Sequence, residues 1–309
     1  MCLDSSAPTP AFAERELQMP VPRANELLIR VHAAGVTPTE LIWYPTTHTK
    51  GGAARLDAVP GHEFSGVVAG VGHEASGFLV GQEVYGMNDW FSQGATAEYC
   101  TTLPSSVALK PARLSHVEAA SVPIGALTAM QGLFDRAELR PGERVLIHGG
   151  AGAVGVFAIQ LAKRAEAQVF TTASARHAEF LAQLGADHVI DYRTERFEDQ
   201  LRDLDVVFDA IGGETLRRSW PVLRPGGRMV TIAASGEAVQ DERTKAAFFI
   251  VEPMHHQLAE VAHLLDQRAL KTYVDGTVPL AQASTAYLGT AKRLQGRGKV
   301  VVEISTSAL

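Results

Sequence analysis

Three glycines lie at the spacing Gly-x-Gly-x-x-Gly between an apolar run and a helix-forming run. They are Gly150, Gly152 and Gly155, after residues 144–148 and before 156–164. In such a turn the first glycine allows a sharp bend, the second lets backbone approach a pyrophosphate, and the third lets the helix pack on the strand. The N–H groups and dipole at the helix N-terminus favour a phosphate charge. The predicted phosphate contacts of a dinucleotide are Gly150, Gly152, Ala153, Val154 and Gly155.

The end of the second strand distinguishes the two nicotinamide dinucleotides. In a site for NAD, an Asp or Glu about 20 residues beyond the fingerprint binds the ribose hydroxyls. Residues 169–176 contain no acid, and the next one is Glu179. Ser174 and Arg176 lie instead where the strand gives way to the helix, and a hydroxyl with a guanidinium suits a 2′-phosphate. The sequence therefore favours NADP over NAD, the alternative being that Arg176 only covers the helix surface.

Strands and helices alternate regularly after Arg144, which predicts a doubly wound parallel sheet of the Rossmann type. The predicted strands are 144–148, 168–172, 188–190, 205–209 and 228–232, with a further candidate at 248–251. The predicted helices are 153–165, 175–184, 195–202, 213–223 and 254–267.

The first third of the chain has a different pattern, of short β-rich pieces separated by Gly and Pro, which predicts a small β-barrel-like domain. Residues 114–133 then have apolar side chains at helical spacing, and the boundary is predicted near Pro123. A strand at 299–304 is expected to return to the first domain. The predicted domains are 1–122, completed by about 270–309, and 123–269.

Composition bounds the class of protein. A chain of 309 residues is too long for one ordinary core. The net charge of −6 provides no basic footprint for nucleic acid, and no apolar run approaches the roughly 20 residues that span a bilayer. The first six residues lack the features of a signal peptide, and two cysteines fit a reducing compartment. We expect a cytoplasmic protein without nucleic-acid or membrane partners.

Taken together, these segments resemble the medium-chain dehydrogenase/reductase superfamily, and within it the zinc-independent quinone oxidoreductase (zeta-crystallin-like) group. The resemblance covers nearly the whole chain. It rests on residues 33–38, 60–66, 149–155, 184–187, 208–212, 223–228 and 297–301. It implies an α/β protein with a GroES-like β-barrel catalytic domain, a Rossmann domain, and a substrate cleft over the nicotinamide. It also implies a homodimer that pairs through the edge strand 247–251.

Two features depart from the family pattern. The N-terminus shows no clear opening strand, and Thr37 replaces the usual asparagine. Zinc-dependent relatives carry cysteine at the position of Thr37 and a His-Glu pair matching His62-Glu63, but a catalytic zinc needs about three protein ligands. We predict no metal, and expect His62 and Glu63 to hold the local backbone by hydrogen bonds.

Without a metal to polarise an alcohol oxygen, hydride transfer to a quinone or to the C=C of an α,β-unsaturated carbonyl is the expected reaction. Donors aimed at the acceptor oxygen would stabilise its developing charge. Tyr44 and Thr37 are the predicted catalytic residues, the alternatives being a packed aromatic and a helix cap. Further predicted cofactor contacts are Thr128, Ser174, Arg176, Tyr192, Ala210, Ile211, Ile232, Phe249 and Val251. A zinc-dependent alcohol dehydrogenase and a non-enzymatic NADPH-binding protein remain the alternative functions.

Overall fold

The structure, a computed structural model, describes residues 1–4, 11–233 and 241–304. The chain divides into two units, the first being Met1–Ile124 with the chain from Glu252 onward, and the second Gly125–Val251. The first boundary lies two residues after the expected one. The chain returns to the first unit at 252 rather than at about 270, because the helix after this point packs there: Tyr85 donates its hydroxyl to the carbonyl of Leu258 at 2.6 Å.

The first unit is built on a seven-stranded sheet and a two-stranded one. Its strands are β1 (Cys2–Asp4), β2 (Ala11–Ala13), β3 (Leu27–Gly35), β4 (Glu63–Val71), β5 (Glu83–Met87), β6 (Tyr99–Thr102), β7 (Val107–Leu109), β13 (Val274–Pro279) and β14 (Lys299–Glu303). The large sheet has the order β13-β14-β3-β4-β5-β7, and β6 also pairs with β3. Since β14 pairs antiparallel with β3, the C-terminal strand completes the first unit as expected.

The N-terminus corrects the expectation that no opening strand exists. Strand β1 pairs antiparallel with β2, with Leu3 opposite Phe12, and the N–H of Leu3 donates to the carbonyl of Ala58 at 2.8 Å. Met1, Cys2 and Leu3 are all buried. Three residues are too few for an alternating pattern, so the sequence carried no signal for this strand.

Apart from the twelve-residue α9 (His255–Asp266), the helices of the first unit are short. They are α1 (Tyr44–Thr47), α2 (His116–Ala120) and α10 (Ala283–Tyr287), while α3 (Pro123–Met130) contains the boundary between the units. Ser115 forms a capping box with Glu118 at the start of α2. The helical stretch predicted at 114–133 is divided, because α2 ends at Ala120, α3 begins at Pro123, and a π-helical segment follows at Gln131–Arg136. Among the described residues, no helix is long and apolar enough to cross a membrane.

The second unit contains the predicted Rossmann sheet. Its strands are β8 (Arg144–His148), β9 (Gln168–Ala173), β10 (His188–Asp191), β11 (Leu204–Asp209) and β12 (Leu223–Thr231), and its helices are α4 (Gly155–Arg164), α5 (Ala178–Leu184), α6 (Phe197–Gln200), α7 (Gly213–Ser219) and α8 (Glu242–Ala247). The sheet is parallel, in the order β10-β9-β8-β11-β12. The order reverses between β8 and β11, where doubly wound sheets bind ligands at the carboxyl ends of their strands.

The strand predicted at 248–251 is not a strand. Phe248 makes a single parallel bridge with Thr231, and the N–H of Phe249 donates to the carbonyl of Thr231 at 3.2 Å. Phe249 and Val251 are buried while Ile250 is exposed. The alternation of buried and exposed side chains thus belongs to a segment that lies against β12, and not to a sixth strand. The expected homodimer has no complete edge strand at 247–251 through which to pair, and dimerisation stays a prediction.

Candidate active site

The glycine turn after β8 is closely packed at two of its three fingerprint positions. A Cβ on Gly150 would lie 2.2 Å from Oγ1 of Thr171, and a Cβ on Gly155 would lie 2.3 Å from the carbonyl oxygen of Gly149. Gly149 itself has a φ of 76°, in the left-handed region that favours glycine. The turn therefore requires glycine at these positions for its own packing.

Gly152 differs, because it is exposed and packs against little. A Cβ there would meet only the carbonyl oxygen of Gly149, at 3.2 Å. Three residues later α4 begins, and no side chain caps its N-terminus. Open backbone just before a ten-residue helix fits an anionic oxygen, because the positive end of the helix dipole favours a negative charge there. The N–H groups of Val156 and Phe157 already donate to the carbonyls of Gly152 and Val154 at 3.1 Å. The residues present thus fit the pyrophosphate of a dinucleotide.

The carboxyl edge of the sheet also holds residues predicted from the other strands. The residues directly after β9, β10, β11 and β12 are, in that order, Ser174, Tyr192, Ala210 and Ile232. The Cδ1 atom of Ile211 lies 3.1 Å from the Cβ position of Gly149. The fold thus brings the predicted contacts to the same edge as the glycine turn, and their role in cofactor binding stays a prediction.

Asp209, at the end of β11, holds the loop that carries Ala210 and Ile211. Its carboxylate accepts the N–H of Ile211 at 3.1 Å, that of Gly212 at 3.0 Å, and the hydroxyl of Thr231 at 2.8 Å. Burial raises the pKa of Asp209 although these hydrogen bonds favour the charged form. A carboxylate with this many donors is a support for the backbone of the site.

The end of β9 presents Ser174 buried and Arg176 exposed. Arg176 donates its Nε–H to Nε2 of His177 at 3.0 Å, which leaves the two terminal nitrogens of the guanidinium at the surface. Asp191, opposite Ala173 on β10, is the acid nearest in register. The carboxylate of Asp191 accepts the N–H of Arg193 at 3.1 Å. The side chain of Asp191 is therefore bound to the loop that follows β10.

Arg193 is a second exposed cation at this edge, which sequence reasoning missed. Its guanidinium lies 5.9 Å from the ring centroid of Tyr192, and the N–H of Tyr192 donates to the carbonyl of Ala173 at 3.3 Å. The available signal was its position directly after Asp191 and Tyr192, at the end of the strand next to β9. Arg176 and Arg193 therefore follow neighbouring strands.

Three predicted cofactor residues of the second unit are buried. Thr128 is buried in α3, and Phe249 and Val251 are buried beyond β12. The guanidinium of Arg136 stacks at 5.7 Å from the ring centroid of Phe249. Contacts from these residues to a cofactor stay predictions.

The two predicted catalytic residues lie in the first unit and differ in exposure. Tyr44 begins α1, is 55% exposed, and stacks on the ring of His48 with centroids 4.3 Å apart. Thr37 precedes a 3-10 turn, Pro38–Ile42, without capping it through its side chain. Its Oγ1 accepts instead from Nζ of Lys299 at 3.4 Å. Thr37 thus joins a charged cluster that the sequence did not reveal.

This cluster consists of Glu40, His62, Glu63 and Lys299, all buried. Nδ1 of His62 lies 2.5 Å from Oε2 of Glu40, whose Oε1 accepts the N–H of Gly61 at 2.9 Å. The expectation that His62 holds backbone is therefore wrong, because its partner is a carboxylate. Glu63 does hold backbone, accepting the N–H of Ile124 at 2.9 Å.

Lys299 supplies the positive charge of the cluster. Its ammonium pairs with Glu63 and donates to Thr37. Burial lowers the pKa of Lys299 to about 7, while the charge of Glu40 acts in the opposite direction. A pair so deeply buried requires both members, since removing one leaves an unpaired charge away from water.

One atom of the cluster has no partner. Nε2 of His62 is buried and makes no hydrogen bond, although the side chain is only 1% exposed. An unsatisfied buried polar atom costs about 1–3 kcal/mol, and such atoms are rare in native proteins. The cluster therefore tolerates an unfavourable group at this position.

A catalytic zinc does not fit these side chains. Thr37 offers no thiolate, and both oxygens of Glu63 are engaged, by Lys299 and by the N–H of Ile124. Within the described ranges, no three or more His, Cys, Asp or Glu side chains are grouped to hold a metal ion. The polar cluster of the first unit thus has its own cation in Lys299.

Comparison with known families and proteins agrees with this architecture. Residues 23–127 match the alcohol dehydrogenase GroES-like domain, and residues 184–302 match a family described as zinc-binding dehydrogenase. The fold class predicted from the sequence, a Rossmann sheet with a GroES-like domain, is confirmed.

Individual relatives span most of the chain. A probable zinc-binding oxidoreductase of Arthroderma benhamiae is 32% identical, covering 92% of this chain and 91% of that protein. The 2-methylene-furan-3-one reductase of Solanum lycopersicum is 33% identical over 94% of this chain and 74% of its own. The structure of a quinone oxidoreductase from Coxiella burnetii superposes with a TM-score of 0.83 at 31% identity, covering 94% and 93% of the two chains. The protein is therefore an oxidoreductase that uses a nicotinamide cofactor, and it belongs to the medium-chain dehydrogenase/reductase superfamily, among its quinone oxidoreductase-like members.

Proposed function

We propose that this protein is an NADPH-dependent reductase that transfers hydride, without a metal, to a quinone or to the C=C of an α,β-unsaturated carbonyl. The observation that carries the proposal is the carboxyl edge of the Rossmann sheet. There the open backbone at Gly152 lies at the same edge as Ser174 and Arg176, with no acid in residues 169–176.

The choice of NADPH rests on charge at the end of β9. The terminal nitrogens of Arg176 are presented at the surface beside Ser174, and a guanidinium binds a phosphate through paired N–H donors. The nearest acid in register, Asp191, is bound to the N–H of Arg193. A 2′-phosphate thus meets cations rather than a carboxylate, whereas the ribose hydroxyls of NADH lack their usual acidic acceptor.

The choice of acceptor rests on the first unit, whose side chains do not fit zinc. When bound, the nicotinamide supplies the hydride, and the protein must orient the acceptor and stabilise charge on its oxygen. Lys299 donates to Oγ1 of Thr37, so the hydroxyl proton of Thr37 turns toward another acceptor. A hydroxyl polarised in this way is a stronger donor, which suits a developing enolate or hydroquinone oxygen.

The names of two relatives support the same substrate classes. One is a quinone oxidoreductase, and the other reduces a 2-methylene-furan-3-one, a compound whose name describes a C=C conjugated to a ketone. Both acceptors are electrophilic before they bind. They therefore need less activation than the carbonyl or alcohol on which a zinc enzyme acts.

Assays with purified protein test the proposal. NADPH oxidation is followed with 1,4-naphthoquinone and with 2-cyclohexen-1-one, NADH is compared in parallel, and bound metal is quantified. We expect turnover with at least one acceptor, a preference for NADPH, and substoichiometric zinc that a chelator removes without loss of rate. Stoichiometric zinc required for alcohol oxidation would contradict the proposal, as would NADPH binding without turnover of either acceptor.

A further inference from the structure

We propose that His62, oriented by Glu40, donates the proton that completes the reduction of an enone. This inference rests on the proposed function and adds a proton donor to it. From the sequence, His62 is expected only to hold backbone, whereas in the structure it is paired with Glu40. Tyr44 and Thr37 contact His48 and Lys299 instead.

His62 is paired with a carboxylate. Nδ1 of His62 and Oε2 of Glu40 are 2.5 Å apart, and both side chains are buried. A carboxylate only accepts hydrogen bonds, so Nδ1 carries a proton and the ring is held in one orientation. The same arrangement of a carboxylate behind an imidazole orients histidines that move protons in enzymes. Glu40 is thus a positioning residue for Nε2.

The other ring nitrogen of His62, Nε2, has no partner. This nitrogen is buried and makes no hydrogen bond. Both oxygens of Glu40, by contrast, have partners, since Oε1 accepts the N–H of Gly61. A histidine that served only to fill space and satisfy Glu40 would gain from a second partner at Nε2. An unpartnered nitrogen on an oriented ring is instead available to a group that arrives with the substrate.

Aromatic side chains also pack beside His62. Tyr44 is exposed, Trp43 is half-buried, and Trp90 is buried. The rings of Trp43 and Trp90 meet edge to face at 4.8 Å, and Trp90 lies 5.0 Å from the ring of His62. Aromatic side chains of this kind suit a planar apolar acceptor, and Trp90 is the ring that lies against His62.

The proton balance is complete. The β-carbon of the enone accepts hydride from NADPH and forms a C–H bond, while the electron pair of the C=C moves to leave an enolate. The α-carbon of the enolate then takes the proton of Nε2–H, which restores the C=O and leaves a neutral imidazole with its proton on Nδ1. Solvent returns one proton to His62 before the next turnover, so each cycle consumes one NADPH and one H⁺.

The test uses 2-methylcyclohex-2-en-1-one, whose reduction creates a stereocentre at the α-carbon, and 1,4-naphthoquinone, whose reduced oxygens take protons from water. The variants are His62→Gln and Glu40→Gln. The control is His116→Gln, a half-buried histidine of the same unit that contacts Ser65 and Glu83. We measure kcat, KM and the enantiomeric excess of the product.

We expect His62→Gln to lower kcat for the enone by roughly 100-fold, the usual range for loss of a general acid, with KM within about 3-fold. The enantiomeric excess should fall, because water then protonates either face of the enolate. Naphthoquinone reduction should lose much less. Glu40→Gln should cause a smaller loss in the same direction, and it carries the test if His62→Gln does not fold.

The outcomes separate this inference from the proposed function. Wild-type protein that reduces neither acceptor contradicts the proposed function and the role of His62 with it. Active wild type, together with variants that keep the enone kcat and the enantiomeric excess of the control, overturns the role of His62 alone. A merely structural role would lower the rates for enone and quinone equally and leave the stereochemistry unchanged.

Discussion

His148 in the second unit and His62 in the first are both almost completely buried, and the two have opposite surroundings. His148 ends β8, immediately before the glycine turn, and is 0% exposed. Its Nδ1 lies 2.9 Å from the hydroxyl of Thr172 and its Nε2 lies 2.9 Å from that of Ser219. His62, 1% exposed, has a carboxylate at one nitrogen and nothing at the other.

The difference teaches that partners, rather than burial, indicate what a buried histidine does. The hydroxyl of Ser219 donates to the carbonyl of Thr215 at 2.7 Å, so it accepts from Nε2–H of His148, and the hydroxyl of Thr172 can donate to Nδ1 of a neutral ring. Burial accordingly lowers the pKa of His148 to about 3, and the ring supports the end of β8. The carboxylate of Glu40 can only accept a hydrogen bond, which it takes from Nδ1 of His62. Nε2 of His62 has no partner and is therefore available to a substrate.

The charges around His62 give the largest expected effect. Lys299→Met should destabilise the fold by about 3–5 kcal/mol, because Glu63 is left as an unpaired buried carboxylate. Lys163→Met, which breaks the half-exposed pair with Asp187, is the matched control and should change stability by only about 0–1 kcal/mol. Denaturant unfolding of the three proteins measures both, and equal losses would show that burial of the Lys299–Glu63 pair is unimportant.

Acid should reveal the neutral state of His148. The unfolded ring takes up a proton below its ordinary pKa of 6.5, but folded His148 does so only near 3. Stability is therefore lost as pH falls between these values. From pH 7 to 4.5 this group accounts for roughly 2–3 kcal/mol.

The measurement is the free energy of unfolding at both pH values for wild type and His148→Gln, which keeps a donor and an acceptor but cannot titrate. The variant should lose less stability on acidification. Identical losses would mean that His148 is already charged in the folded protein, contrary to its two hydroxyl partners.

The sequence predicted the second unit better than the first for a physical reason. The glycine turn, the five strands and the ends at Ser174, Tyr192 and Ala210 depend on backbone geometry and local order, which leave local patterns. The cluster around His62 joins residues 22 and 236 positions apart in the chain. Such contacts exist only in the folded protein. The sequence therefore predicted the same backbone-holding role for His62 and Glu63, and it gave no role to Glu40 or Lys299.

Arg176→Ala should weaken NADPH binding by about 2 kcal/mol, roughly 30-fold, because a charge-assisted contact to the 2′-phosphate is lost. NADH binding should change less than 2-fold. Arg164→Ala, an exposed arginine at the far end of α4, is the control. Isothermal titration with both cofactors gives the values, and equal weakening of NADPH and NADH would remove Arg176 from cofactor selection.

Gly152→Ala gives the smallest expected effect and separates binding from packing. The added Cβ would meet only the carbonyl oxygen of Gly149, at 3.2 Å, a tight contact that a shift of a few tenths of an ångström relieves, so the free energy of unfolding should change by less than about 1 kcal/mol. The same methyl group stands on the open backbone surface, and NADPH affinity should fall about 10-fold, or 1.4 kcal/mol. Gly155→Ala should instead destabilise the fold by about 1–3 kcal/mol. Loss of stability without loss of affinity at Gly152 would contradict the phosphate site.

The central claim is that hydride reaches the C=C of an enone without a metal. The direct measurement is the position of the label when chelator-treated protein reduces 2-cyclohexen-1-one with NADPH deuterated at the transferred position of C4. The account predicts one deuterium at C3 of cyclohexanone. Deuterium at C1 of an allylic alcohol, or turnover that returns only with zinc, would contradict it.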